Sequence, residues 1–389
     1  MLEILFLLLP VAAVYGWYMG NQSAQQDKQE HSNQIARQYV TGLNLIFSKE
    51  SDKAIDHFIE LLKVNDETID THLALGNLFR SRGEVDRAIH IHQNLISHSS
   101  LSINQKNLAL QQLAKDYMVS GFLDRAEKIF QQLSKEPDYE ETSLKQLVAI
   151  HQQTREWSKA IQYASLLTKL GQKKVHSTIA HFWCELAEQE KTEECIAKSI
   201  QYFQRALSED PKCVRASISL GRLFLELKDY RKAMEYLKRI LEQDVDFVVD
   251  MLPALADCYR HLGQENDLVV FLRECIARKA GVSAVLMLSQ LLAKHEDIGA
   301  AKDLLTSQLI ANPTIKGFYR LMDYHLETIE EGRLKESFNT LHKLLAEQLK
   351  VKPHYCCRRC GFSTRSIYWH CPSCKGWGTI KHIRGLDGE

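Results

Sequence analysis

The sequence predicts an all-α chain, a superhelical solenoid of helix hairpins with an N-terminal transmembrane helix ahead of it and a small C-terminal metal-binding module behind it. Three observations carry this class: a continuously apolar start, small residues recurring with a 34-residue period along an amphipathic body, and two Cys-x-x-Cys pairs near the C-terminus. At 389 residues and 44.7 kDa the chain accommodates two or three ordinary domains or one extended array of small units. Its 49 Lys and Arg balance 49 Asp and Glu, so no global field draws it to nucleic acid, and no nucleic-acid partner is expected.

Residues 1–20, MLEILFLLLPVAAVYGWYMG, are apolar from Ile4 to Val14 and then carry Tyr15, Trp17 and Tyr18, which suit a headgroup belt. A helix of about eighteen residues reaches roughly 27 Å, enough for a thin bilayer. Glu3 stands where a secretory signal would be basic, and no small-x-small cleavage site precedes Asn21, so an uncleaved anchor is expected. Lys28 and Arg37 follow this segment and no Lys or Arg precedes it, which places the N-terminus in the periplasm and the main body in the cytoplasm. Residues 21–34 read as a polar spacer.

From residue 35 to 349 the pattern is helical and amphipathic almost without interruption. Gly42 is followed twelve residues later by Ala54, Gly76 by Ala88, Ala114 by Ala126, Val148 by Ala160 and Gly221 by Ala233. Small residues on both helices of a hairpin allow close antiparallel approach. Arg82-Gly83, Ser120-Gly121 and Glu331-Gly332 supply turns, each glycine five residues ahead of Ala88, Ala126 or Ser337. The pattern resembles the tetratricopeptide repeat, most closely at residues 76–95 and 221–241, and implies about eight or nine units stacked into a superhelix. Such a stack leaves a curved face lined by the first helix of each unit, suited to an extended peptide or a partner helix.

Little in this body suggests catalysis. No nucleophile elbow, phosphate-binding glycine loop or HExxH set is present, and His90, His92, His176 and His181 lack ligand spacing. Trp157 and Trp183 read as packing groups. Cys184, Cys195, Cys213, Cys258 and Cys275 are scattered through helical patterns and read as small apolar residues.

The segment 350–389 differs. Cys357/Cys360 and Cys371/Cys374 form two Cys-x-x-Cys pairs with ten residues between them, spacing that places four sulfurs around one ion. Gly361 and Gly376 relax the backbone beside the knuckles, and Pro372 constrains the second. The donor set suits one tetrahedrally bound ion, iron or zinc. Cys356 offers another register, Cys356-x-x-x-Cys360, that breaks the paired spacing, and is read as a neighbouring free thiol. The module resembles a rubredoxin-like or zinc-ribbon knuckle pair, with a shorter intervening chain than electron-carrying rubredoxins, which favours a structural role. Between Lys352 and Arg384 lie seven basic residues and no acidic one, a surplus available to anionic lipid or an acidic protein face. Its many aromatic residues are expected to dock it on the last helices, since so small a module buries little by itself.

The start MLEILFLLLP with its GWYMG exit, GNLFRSRGEVDRAI at 76–89, LMDYHL at 321–326, YWHCPSC and the IKHIRGLDG tail together resemble the lipopolysaccharide assembly protein B family of Gram-negative bacteria over essentially the full chain. The resemblance implies a non-enzymatic inner-membrane adaptor, single-pass, working with the membrane protease FtsH to promote breakdown of the lipid A deacetylase LpxC, and restrained by the membrane regulator LapC. It also implies that Cys357, Cys360, Cys371 and Cys374 are the four metal ligands. Cys356 departs from the family, as does Asn21-Gln22, where relatives can carry arginines. The alternatives are a scaffold for lipopolysaccharide assembly and export proteins or a rubredoxin-like redox component. Inner-membrane lipid and a second copy of the chain complete the partners left open.

Overall fold

The computed structural model describes Met19 and residues 40–42, 69–97, 101–190, 195–295 and 297–389. The polar spacer 21–34 and most of the first repeat, including Ala54, lie outside the described residues, as does the expected anchor 1–20 apart from Met19. The chain divides into two compact units, 1–150 and 151–389.

In the first unit, α1 (Ile69–Ser81), α2 (Val85–Ser97), α3 (Ile103–Val119), α4 (Leu123–Leu133) and most of α5 (Pro137–Gln153) follow one another as hairpins. The small residues act as the periodicity suggests. A Cβ on Gly76 would lie 2.4 Å from Nε2 of His92 on the facing helix, so only glycine admits that ring. His92 is fully buried with its Nδ1 against the Asp116 carboxylate, which also holds Arg80 at 2.9 Å. It is a packing and network residue: Nδ1 is partnered by Asp116, whereas Nε2, against Gly76, has no hydrogen-bond partner among the described residues. Gly83 and Gly121 turn the chain at φ 84° and 82°, a backbone conformation favouring glycine.

The second unit continues with α6 (Trp157–Lys169), α7 (Val175–Gln189), α8 (Ile196–Glu209), α9 (Val214–Glu226), α10 (Tyr230–Lys238), α11 (Val248–His261), α12 (Glu265–Ala277), α13 (Val282–His295), α14 (Ile298–Ala311), α15 (Ile315–Thr328) and α16 (Arg333–Val351). One apolar core runs from Ala180 on α7 to Tyr324 on α15. Ala160, Ala206 and Ala233 have no exposure, and a Cβ on Gly221 would lie 2.5 Å from Leu237 Cδ2. Cys184, Cys213, Cys258 and Cys275 are buried in this unit, and burial raises the Cys258 and Cys275 thiols to about 11 and about 12. They behave as apolar residues.

After α16 the chain forms a small three-stranded sheet, β1 (Tyr355–Cys357), β2 (Ser363–Thr364) and β3 (Ile380–His382), in the order β2-β1-β3 with both pairings antiparallel.

The expected fold class needs one correction. Among the described residues no helix is long and apolar enough to cross a membrane. The longest, α16, has 19 residues and carries charge along its length, whereas a span needs about 20 predominantly apolar ones. The architecture is therefore an all-α solenoid with a small C-terminal metal-module fold. The transmembrane helix in the fold class, the membrane keywords and the single-pass inner-membrane location drawn from residues 1–20 are corrected accordingly.

Candidate metal centre

Two turns of the same design build the centre. In the first, the Gly361 N–H donates to the Cys357 carbonyl at 2.9 Å; in the second, the Lys375 N–H donates to the Cys371 carbonyl at the same distance. Each turn closes on a left-handed residue, Gly361 at φ 78° and Lys375 at φ 56°. The residue matching Gly361 is thus Lys375 rather than Gly376. Gly376 is required for space instead, since a Cβ there would lie 2.9 Å from Thr379 Cγ2. The Cys371 N–H returns to the Gly376 carbonyl at 2.9 Å, and the Cys357 N–H to that of Phe362 at 2.8 Å.

The turns bring the sulfurs of Cys357, Cys360, Cys371 and Cys374 within 4.8 Å of one another. Cys357 and Cys374 lie 3.7 Å apart, as do Cys360 and Cys371. A regular tetrahedron with metal–sulfur bonds of about 2.3 Å has edges of about 3.8 Å, so the four thiols fit one tetrahedral ion. Burial opposes ionisation of Cys357, but the Thr379 hydroxyl 3.3 Å away and the Cys360 and Arg359 amides outweigh it and hold the thiol down at about 6. The Cys360 thiol is also lowered, chiefly by the Phe362 amide. Cys356 stands outside the cluster. Neighbouring strand residues face opposite ways, and its sulfur approaches the carbonyls of Cys357 and Gly361 at 3.7 and 3.6 Å.

The module has a minimal core of its own, Cys357, Cys371 and Ile380. Its packing is completed by the solenoid: the aromatic contacts fall near the middle of the chain, while the tail to Glu389 reaches the later helices α13 and α15. Trp377 stacks on His181 with ring centroids 5.1 Å apart and meets Trp157 and Phe182 edge-on at 6.3 and 5.8 Å. Its indole N–H donates to Gln152 Oε1 at 3.2 Å. Trp369 stacks on Phe247 at 5.4 Å. Burial, reinforced by Arg215 and His370, lowers His181 to about 3, so the ring packs as a neutral aromatic.

Beside this aromatic contact stands a charged one. Lys381 Nζ lies 2.6 Å from Asp244 and 3.2 Å from Asp246, and Arg384 Nε donates to Asp246 at 2.6 Å. Asp250 accepts from the Tyr355 hydroxyl at 2.9 Å and pairs with His382 Nε2 at 3.0 Å. The module's basic surplus is therefore largely used within the chain: Lys352 pairs with Asp387, while Arg358 and Arg365 donate to the carbonyls of His382 and Val351. Of the seven basic residues, Arg359 and Lys375 alone have no side-chain partner among the described residues.

Sequence reading expected the module's aromatic residues, Trp369 and Trp377 among them, to dock it, but did not find their partners Trp157, His181, Phe182 and Phe247 or the carboxylates Asp244, Asp246 and Asp250. The aromatic and basic excess of the module signals that a counterpart exists, but nothing in the sequence points to residues over 100 positions earlier.

Fold and site define a class: a tetratricopeptide-repeat protein carrying a rubredoxin-type metal module. The tetratricopeptide repeat model matches residues 71–101 and 196–258, and the rubredoxin metal binding domain model matches residues 355–382. Lipopolysaccharide assembly protein B of Escherichia coli (strain K12) is 47% identical over 388 residues, covering 100% of both chains. Its counterpart in Haemophilus influenzae is 40% identical over 395 residues, again covering 100% of both. The chain belongs to the lipopolysaccharide assembly protein B family. A solved tetratricopeptide repeat protein from Parabacteroides merdae is similar at 12% identity and a TM-score of 0.33, covering 72% of this chain and 99% of its own, a likeness too distant to carry argument. The reading of a chain that is not an enzyme agrees with family membership.

Proposed function

We propose that the chain is a non-enzymatic adaptor that limits lipopolysaccharide synthesis by bringing the lipid A deacetylase LpxC to the protease FtsH, with LapC as its restraining partner. Cys357, Cys360, Cys371 and Cys374 hold one iron or zinc ion, which fixes the two knuckles. The observation that supports this reading best is the joining of module to solenoid through Trp377 and the Asp244, Asp246 and Asp250 contacts. Through these contacts the ion-bound module and the repeat helices act as one binding body. An adaptor gains by holding two partners on such a body, since proximity raises effective concentration.

The test follows LpxC lifetime in cells lacking the endogenous protein and supplied with wild type, Cys356→Ser or Cys371→Ser, alongside FtsH and LpxC pull-down and elemental analysis. Wild type and Cys356→Ser should retain the ion and short LpxC lifetime; Cys371→Ser should lose both, because a serine hydroxyl cannot replace a thiolate in a closed four-sulfur site. Equal metal loss in both variants would refute the ligand set. Normal LpxC turnover by a metal-free variant would refute the metal module's part in the function.

A further inference from the structure

A cavity of about 330 Å3 lies where the C-terminal tail crosses the end of the solenoid, away from the thiol cluster. Its apolar wall is made by Val282 and Val285 of α13, Leu305 and Leu309 of α14, and Leu386 of the tail. The tail is strapped in place. The Glu389 carboxylate accepts from the Ser283 N–H and hydroxyl, both at 2.9 Å, and from Lys316 Nζ at 2.5 Å. The Ile315 N–H donates to the Leu386 carbonyl at 2.8 Å. The side-chain charge of Glu389 is thus balanced by Lys316 and by the start of α13, where the helix dipole favours an anion.

The positive groups on the rim are less completely matched. Arg384 uses Nε on Asp246 and Nη1 on the Lys279 carbonyl, while the Lys279 ammonium has no ion pair among the described residues. An apolar cleft whose lining includes Lys279, an exposed residue without an ion pair among the described residues, is complementary to an apolar chain ending in an anion, and the volume falls at the lower end of the roughly 300–1,000 Å3 typical of small-molecule sites.

We propose that this cavity binds a single-chain amphiphile of the fatty-acid class, its alkyl chain among Val282, Val285, Leu305, Leu309 and Leu386 and its carboxylate at Lys279. The site is independent of the adaptor reading. Because its outer wall is the tail of the metal module, occupancy would brace the tail against α13 and α14.

The test titrates octanoate, decanoate and dodecanoate into the full chain, below micelle-forming concentrations, with dodecanol and dodecylamine as head-group controls. Affinity should rise roughly fourfold per methylene until the cavity is full. Lys279→Asn should weaken carboxylate binding by about tenfold and leave dodecanol unchanged, that being the scale of one lost charged hydrogen bond. Asparagine suits the position because Lys279 has φ 55°. Val285→Phe, which fills the cleft, should abolish binding of both. Absence of saturable dodecanoate binding, equal binding of dodecylamine, or dodecanoate affinity unmoved by Lys279→Asn would each overturn the proposal; the last keeps it decidable should Val285→Phe fail to fold.

Discussion

Replacing Trp377 by alanine separates the holding of the ion from the holding of the module. The indole packs against Trp157, His181 and Phe182 and donates to Gln152, all within the solenoid, yet it contributes no ligand to the sulfur cluster. Truncating a fully buried tryptophan costs about 3–5 kcal/mol, and a hydrogen bond about 1 kcal/mol more. Trp377 is only half-buried, so about 3 kcal/mol is expected, a change of roughly a hundredfold in the ratio of docked to undocked module. Hydrogen exchange read peptide by peptide should show residues 354–389 and α7 exchanging up to a hundredfold faster, with metal content unchanged and α1 to α4 protected as before. Unaltered exchange in the module would refute aromatic docking. Loss of the ion would show that docking builds the site instead of merely placing it.

The ionic contact should add a pH and salt signature. Burial opposes the Asp246 charge, but Arg384 and Lys381 outweigh it and hold the carboxyl below its usual range, so its contribution is present above about pH 4 and fades as pH falls through the depressed value. Burial is the largest single influence on the Lys381 ammonium and lowers it, but Asp244 and Asp246 together outweigh that cost and raise it, so its contribution persists below about pH 10 and is lost only above the raised value. Asp244→Asn with Asp246→Asn should loosen the module at neutral pH and reduce the salt dependence of its protease resistance; identical resistance at low and high salt in the wild type would count against the clamp. Gly221→Ala forces a methyl onto Leu237, and overpacking of about 1–3 kcal/mol should exceed the gain of about 1 kcal/mol in helix propensity, so thermal unfolding falls unless α10 moves aside. Lys375→Gly relieves a left-handed non-glycine residue and should stabilise the metal-loaded module by about 1 kcal/mol, seen as slower loss of the ion to chelator; faster loss would place the lysine side chain in a supporting role.

What could be read from the sequence follows the range of the interactions. Helix pairing was legible because Gly76, Ala88, Ala126, Ala160, Gly221 and Ala233 sit where backbones approach, a local demand repeated at a fixed interval. The hairpin turns were only partly legible. Gly83 and Gly121 announce themselves, but Arg155, Lys228 and Lys279 take the same left-handed conformation at φ 59°, 60° and 55° with no sequence signal, because neighbouring helices hold the turn strongly enough to tolerate a side chain there. The same masking hid the turn residue of the second knuckle, where Lys375 does what Gly361 does in the first. The four clustered cysteines needed only their spacing. The membrane reading rested on residues 1–20, and no described helix supplies a span.

The docking of the module changes where a partner should be sought. Repeat periodicity assigns binding to the face lined by the first helix of each hairpin. In the second unit that face already meets the chain's own module: Gln152 at the end of α5, His181 and Phe182 on α7, Asp250 on α11, Ser283 on α13 and Lys316 on α15 all contact residues between Tyr355 and Glu389. An extended peptide laid along the same helices would have to displace Trp377 and break the pairs at Asp246 and Asp250. A partner of the intact second unit would therefore engage the outer surface of the module, where Cys360, Arg359 and Lys375 are exposed, or the second helices of the hairpins. Arg359→Glu with Lys375→Glu distinguishes these surfaces. Weaker capture of a partner with the ion retained points to the module's outer surface; unchanged capture directs the search to the helices.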